Sequence, residues 1–214
     1  MNRRRFIRTT ALAGPALLTG IGTAQAAQGA LPLPAVQGTL QHALENRRST
    51  RDYIDGELDD GTLAGLLWAG YGVNRTDTGK RTAPSVYDNQ ETDIYIAKAG
   101  GLFRYNASAH TLEAIHDRDI RVYTGSQPFV DMAAVNLVYV ADFDRMAGVE
   151  PARRELIAAF AVGCICQNVS LFCAASGLGC VVRDWIDRET LRKEMGLSDG
   201  QNIMLAQTVG HVAG

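Results

Sequence analysis

Arg47, Arg48, Ser49 and Arg51 place three guanidinium groups and a hydroxyl within five residues. A guanidinium offers a planar fork of N–H donors and keeps its charge at every accessible pH, so the cluster suits a phosphate group. It follows a segment of helical pattern, and a turn there adds backbone N–H donors to the set. The same residues suit a second role, because cations after a helix complement the negative end of its dipole. Residue types and spacing alone leave both roles open.

Other chemistries lack their residues. There is no G-x-S-x-G elbow, no H-E-x-x-H and no Cys-x-x-Cys. His42, His110, His116 and His211 show no metal-ligand spacing, and no metal is expected. Gly79-Lys80-Arg81 has arginine where a P-loop carries its magnesium-binding hydroxyl, and Gly72 stands too far upstream. Gly177-Leu178-Gly179 lacks a third glycine and follows a helical pattern, the wrong setting for a dinucleotide fingerprint. The four cysteines, Cys164, Cys166, Cys173 and Cys180, crowd one stretch. Cys166 and Cys173 are two helical turns apart, roughly 10 Å, beyond the ~7 Å reach of a disulfide. They read as small apolar residues on a packed helix, with no other element to give Cys180 a disulfide partner.

The chain of 214 residues, 46% hydrophobic and 21% charged, has the composition of one folded domain, neither disordered nor coiled coil. A net charge of −2 gives no reason to expect nucleic acid as a partner. Beyond the N-terminus no unbroken apolar run approaches the ~18 residues of a membrane span.

Residues 1–26 read as a twin-arginine signal peptide. Arg3, Arg4 and Arg5 are the basic region, and Phe6-Ile7-Arg8 completes the paired-arginine pattern. Ala11–Ile21 is the apolar core, and Ala24-Gln25-Ala26 supplies the small residues of a cleavage site. The expected destination is the periplasm or another exported location, reached by the twin-arginine export machinery; an uncleaved segment would anchor the chain to the membrane. A short amphipathic or anchoring helix is the alternative reading. The twin-arginine route carries folded proteins, which favours a chain that takes up a cofactor before export.

The elements that must position the basic cluster follow. Residues 27–38, rich in Ala, Gly and Pro, form an extended arm, and 39–214 is the functional domain. A helix from Thr39 carries Leu40, Ala43 and Leu44 on one face and runs into Arg47. Asp59 or Asp60 starts a second helix with Leu63, Leu66, Leu67 and Tyr71 at helical spacing. Residues 73–91 read as a loop. Strands are expected over Asp93–Ala99, Leu102–Tyr105, Thr111–Ile115, Val135–Ala141 and Asn202–Val209, with a short helix near Arg118–Tyr123. The longest helix spans Pro151 to Ala175, apolar nearly all round and hence buried, and Asp187–Met195 is another. The irregular interleaving gives an α+β fold.

In this order the motifs resemble the nitroreductase superfamily. Arg47-Arg48-Ser49-Thr50-Arg51-Asp52-Tyr53 resembles the family's R-R-S-x-R-x-F opening, and Leu66-Leu67-Trp68-Ala69-Gly70-Tyr71-Gly72 follows at the family's distance. Arg81-Thr82-Ala83-Pro84-Ser85 with Asn89 and Gln90 looks like its P-S-x-x-x-N-x-Q loop, one residue shorter before Gln90. Asp93–Ile96, Gly101–Tyr105 and Gln167–Leu171 with Gly177-Leu178-Gly179 are similar to the SagB/ThcOx-type dehydrogenase branch. The resemblance covers about residues 40–210.

The resemblance implies a central, mostly antiparallel sheet wrapped by helices, in a homodimer with FMN at its interface. Arg47, Arg48, Ser49 and Arg51 would hold the phosphate and ribityl groups, and Ser85, Asn89 and Gln90 would approach from the other chain. Val182, Arg183 and Asp184 would lie by the isoalloxazine, where the family places backbone donors near N5. No catalytic side chain is expected, because hydride passes to and from flavin N5 in a ping-pong cycle between NAD(P)H and a small organic acceptor. The branch's azoline-oxidising members use a Lys-Tyr pair; none of Lys80, Lys98 or Lys193 precedes a tyrosine, so that oxidation is not expected. Two alternatives are an exported, non-catalytic flavin-binding or scaffold protein that has kept the fold, and an exported redox partner fed by a membrane donor.

Overall fold

The computed structural model describes residues 38–213, so the signal segment and nearly all of the 27–38 arm lie outside the described residues. Among the described residues there are four α-helices: α1 Leu40–Asn46, α2 Asp60–Tyr71, α3 Pro151–Ala175 and α4 Arg188–Met195. A hairpin of β1 Val73–Arg75 and β2 Lys80–Arg81 stands apart from the main sheet. That sheet holds β3 Thr92–Lys98, β4 Gly101–Asn106, β5 Thr111–His116, β6 Val135–Asp142, β7 Gly179–Arg183 and β8 Gln201–Gly210. Their order is β5-β4-β3-β6-β8-β7, and every neighbouring pair is antiparallel. The α+β architecture read from the sequence is the one observed.

Both faces of the sheet are covered, which explains why β6 reads as a continuous apolar run instead of an alternating one. Ile94, Ile96, Leu137 and Tyr139 point to the side of α2 and α3 and pack with Leu66, Leu67, Ile165 and Val169. Tyr95, Ala97, Val138 and Val140 point to the other side, against Ile120, Leu191 and Met195. α2 starts where Asp59 accepts the Thr62 N–H at 2.9 Å and the Thr62 hydroxyl at 2.6 Å. Gly70 lets it press on α3, since a Cβ there would stand 2.9 Å from Val169 Cγ2.

Four differences from the sequence reading have physical causes. The polar residues of 73–81 hide the β1–β2 hairpin, which Arg75 secures by donating to the Arg81 carbonyl at 2.6 Å. β7 was not expected, because Gly177 and Gly179 mask so short a strand; it carries Cys180 away from the helix of the other cysteines. On α1 only Ala43 is buried, while Leu40 and Leu44 are exposed. α3 is not buried all round: Leu156, Ala159, Phe160, Gly163 and Cys164 form an exposed, largely apolar stripe.

Where the 82–91 segment enters the sheet, Glu91 is wholly buried. Its backbone carbonyl accepts the Asp142 N–H and Arg145 Nη2, each at 2.8 Å. Neither oxygen of its carboxyl group has a hydrogen-bonding partner, and Tyr71 Oη, Asn89 Nδ2 and Thr92 Oγ1 are buried in the same condition. Burial lifts the Glu91 carboxyl above its ordinary range, opposed in part by its own backbone N–H and then by the charge of Arg145.

Two expectations test this packing. Ile165→Ala removes a fully buried side chain from between sheet and helices. It is expected to cost about 2–5 kcal/mol, read as a lower urea midpoint at unchanged slope. The raised pKa of Glu91 means that its stabilising contribution is full below the unfolded carboxylate value and is lost as pH rises through the folded one. Glu91→Gln should therefore match the wild-type Tm near pH ~4 and exceed it at pH ~8. Equal Tm values at the higher pH would show that this burial carries no ionisation cost.

Candidate functional site

α1 ends at Asn46, with the Arg47 N–H capping it onto the Ala43 carbonyl at 2.9 Å. The chain then runs extended beside β7, where Ser49 and Cys180 form a parallel bridge and the Thr50 N–H donates to the Cys180 carbonyl at 2.8 Å. The Cys180 carbonyl therefore points away from β8. Alternation along a strand gives Val182 and Asp184 the same sense, while Val181 and Arg183 turn their backbone groups toward β8. Beyond Thr50 nothing in the described residues pairs with β7 on this side, so the Val182 N–H lies on a free edge.

A cavity of about 230 Å³ lies between this edge and α3, bordered by Arg47, Arg48, Ser49, Gly163, Gln167 and Val182. A second, of about 540 Å³, extends toward His42, Asp52 and Val212 and shares Arg48, Ser170 and Cys180 with the first. The Arg47 and Arg51 guanidiniums make no hydrogen bond or ion pair among the described residues, and Arg48 makes one long bond, 3.4 Å to the Asn46 carbonyl. All three are exposed. Arg47 and Arg48 border the groove, and Arg51 borders neither cavity. Two unneutralised guanidiniums over a groove with a free strand edge fit a ligand with an anionic end and a hydrogen-bonding plane. A dipole-capping role alone would not require the groove.

The second predicted group stands elsewhere. Ser85 Oγ accepts the Gln90 N–H at 2.8 Å, Gln90 Oε1 accepts from Arg81 Nε at 2.8 Å, and Gln90 Nε2 donates to the Gly79 carbonyl at 3.3 Å. The Arg81 guanidinium lies 4.4 Å over the Tyr71 ring. The loop bends through left-handed conformations at Tyr87, Asp88 and Gln90, with φ of 55°, 55° and 46°. None of the three is glycine, and such backbone costs about 1–3 kcal/mol per residue, so the anchoring through Arg81 must hold it. Ser85, Asn89 and Gln90 border neither cavity of the basic groove in the same chain.

The third group divides. Val182 borders the groove and Asp184 is exposed, ion-paired to Arg188. The Arg183 side chain turns to the opposite face of the sheet, where it is 5% exposed. Its guanidinium donates to Thr208 Oγ1 at 2.7 Å, the Thr124 carbonyl at 2.9 Å and Asn136 Oδ1 at 3.0 Å. Gly125 admits it, since a Cβ there would overlap the Arg183 guanidinium. Burial among neutral acceptors lowers its pKa to about 10. The side chain of Arg183 thus ties the 124–127 segment to β7 and β8, and only its backbone belongs to the region of the groove. Sequence reasoning missed Gly163 and Cys180 as groove residues, because their placement depends on which face of α3 meets which edge of β7. Among the described residues no three His, Cys, Asp or Glu side chains gather as metal ligands.

The Nitroreductase family model matches residues 44–211. A nitroreductase crystal structure from Ralstonia eutropha JMP134, named provisionally, is 39% identical. It covers 96% of this chain and 97% of its own, with a TM-score of 0.83. A provisionally named nitroreductase of Methanocaldococcus jannaschii is 28% identical over 152 residues, covering 66% of this chain and 76% of its own. A Desulfovibrio desulfuricans structure, described as a complex with FMN, is 23% identical, with a TM-score of 0.61 over 83% of this chain and 88% of its own. The order of the motifs, the sheet behind the basic groove and the family match over most of the chain agree: this protein belongs to the nitroreductase family.

Proposed function

We propose that the chain is an FMN-dependent oxidoreductase that passes hydride or electrons between a donor such as NAD(P)H and a small organic acceptor. The observation that carries the reading is the groove itself, bordered by the unneutralised guanidiniums of Arg47 and Arg48 and by the free Val182 edge. Arg47, Arg48, Ser49 and Arg51 hold the phosphate and ribityl end. The backbone of Val182, Arg183 and Asp184 flanks the ring plane, where the Val182 N–H supplies a donor fixed by the sheet. When bound, FMN supplies hydride chemistry at N5, and donor and acceptor use the same face in turn. The protein's own part is orientation and electrostatics, with no acid–base side chain assigned.

A homodimer completes this site. The apolar stripe of α3 and the exposed Leu40 and Leu44 of α1 offer a surface for a second copy. Ser85, Asn89 and Gln90, held on a strained loop away from the groove of their own chain, serve the groove of the partner. The reading includes export: residues 1–26 act as the twin-arginine signal, the folded protein reaches the periplasm, and an uncleaved signal anchors it.

The visible spectrum of the purified protein is the first check, with flavin bands and about one FMN per chain expected. Arg47→Ala with Arg51→Ala is expected to weaken FMN binding by two orders of magnitude or more, at about 1.5–3 kcal/mol for each charged hydrogen bond. Full FMN retention in the double variant would remove the phosphate assignment. Steady-state reduction of quinones or nitroaromatics by NAD(P)H separates an enzyme from a flavin-binding scaffold, and absence of turnover by the flavin-loaded protein would favour the scaffold.

A further inference from the structure

Another cavity, of about 320 Å³, opens where α1, α2 and α3 meet. Its walls are Leu40 and Ala43 of α1, Trp68 and Ala69 of α2, and Leu171 and Phe172 of α3. The polar side chains at its border are already engaged. Thr39 Oγ1 accepts the His42 N–H at 3.2 Å, and the Thr82 hydroxyl donates to the Trp68 carbonyl at 3.3 Å. Asn168 Nδ2 donates to the Thr82 carbonyl at 3.4 Å, and the Trp68 indole N–H donates to the Val73 carbonyl at 3.1 Å. The groove thus offers apolar surface with its polar groups turned to their own chain, the complement of an uncharged, apolar occupant.

The chain itself supplies one. Gly38 borders the groove, and a Cβ on it would stand 4.0 Å from Ala175 Cβ at the end of α3. Residues 27–37, which precede it, contain no charged side chain and include Leu31, Leu33 and Val36. Chain length alone keeps Val36 within about 7 Å of Gly38 and Leu33 within about 18 Å. Pro32 and Pro34 carry no backbone N–H, so this stretch brings few donors that need a partner. Grooves lined by aromatic side chains take proline-containing segments, and Trp68 and Phe172 supply such a wall. The tether lowers the entropy cost of association, because a segment joined by a few residues is present at a roughly millimolar local concentration.

We propose that residues 31–36 of the same chain lie in this groove and strap α1 to α2 and α3. The inference goes beyond the proposed function and needs neither FMN nor a second copy. α1 has seven residues with only Ala43 buried, and a helix so short does not hold itself in water. Covering Leu40 and Ala43 from outside gives it a second anchor. The helix leads directly into Arg47, so the strap also fixes where the basic cluster begins.

The test uses the full chain with Trp185→Phe, which leaves Trp68 as the remaining tryptophan. Leu31→Ser, Leu33→Ser and Val36→Ser together are expected to shift Trp68 emission to the red and raise its quenching by acrylamide. The same triple variant should lose about 2–4 °C or more in Tm. A synthetic peptide of residues 29–37 should reverse the quenching change. Elastase, with its products located by mass spectrometry, should cut the parent within 27–37 about tenfold more slowly than the triple variant, since cleavage follows the released fraction. Ala175→Asp sets a charge in the groove wall and leaves residues 27–37 intact, and it should raise cleavage to the rate of the triple variant. A Trp68 spectrum unchanged by the three substitutions would overturn the inference, as would equal cleavage of parent and triple variant. Trp68 protection that disappears on dilution and ignores the substitutions would overturn it too, by putting a second copy in the groove.

Discussion

One backbone contact organises the functional half of the molecule: the Thr50 N–H donating to the Cys180 carbonyl. It pins the segment after α1 to the outer strand of the sheet and ends there, because the chain turns away after Thr50. The first part of the β7 edge is therefore paired and the rest is open. Arg47 and Arg48 border the groove beside the paired part, and the free donor of Val182 follows on the open part. An unpaired edge is ordinarily a liability that proteins cover. Here it adjoins a groove walled by α3, which is where a planar ligand with a charged tail has both of its needs met.

The groove keeps its shape because the opposite face of the same strand is fixed. Arg183 reaches through to Thr208, Asn136 and Thr124, joining β7, β8, β6 and the segment beyond β5 in one buried network. A buried guanidinium is costly unless every donor finds an acceptor, and this one has neutral acceptors arranged around it. The alternation of the strand makes the two sides complementary: the residue that anchors the sheet and the residue that lines the groove are neighbours in sequence and opposite in direction.

The loop of Ser85, Asn89 and Gln90 follows another logic. Left-handed backbone at three non-glycine residues is held by the Arg81–Gln90 bond, the stacking of Arg81 on Tyr71 and the Ser85 hydroxyl. Its rigidity is over-determined on the side facing its own chain. Tyr87 is the side chain this loop turns outward, while those of Ser85 and Gln90 are bonded within their own chain and Asn89 Nδ2 is buried.

The sequence by itself determined the α+β class, the extents of α2, α3 and α4, most of the sheet strands, and the family, because each depends on local periodicity, capping residues or motif order. Asp59 before a helical run and Pro151 at the head of the longest helix are local signals, legible without tertiary contacts. Three matters were decided only by the tertiary structure. β7 exists because β8 and the 49–50 segment pair with it, and no residue pattern within Gly179–Arg183 announces that pairing. Arg183, read in sequence as part of the ring site, became an interior anchor because a strand sends successive side chains to opposite faces. Cys180, read as one more apolar residue among neighbours, borders both cavities of the groove because its strand folds back on the helix that holds Cys173. Local patterns encode elements; which face meets which edge is set by non-local packing, and the chemistry of a residue depends on what that packing places beside it.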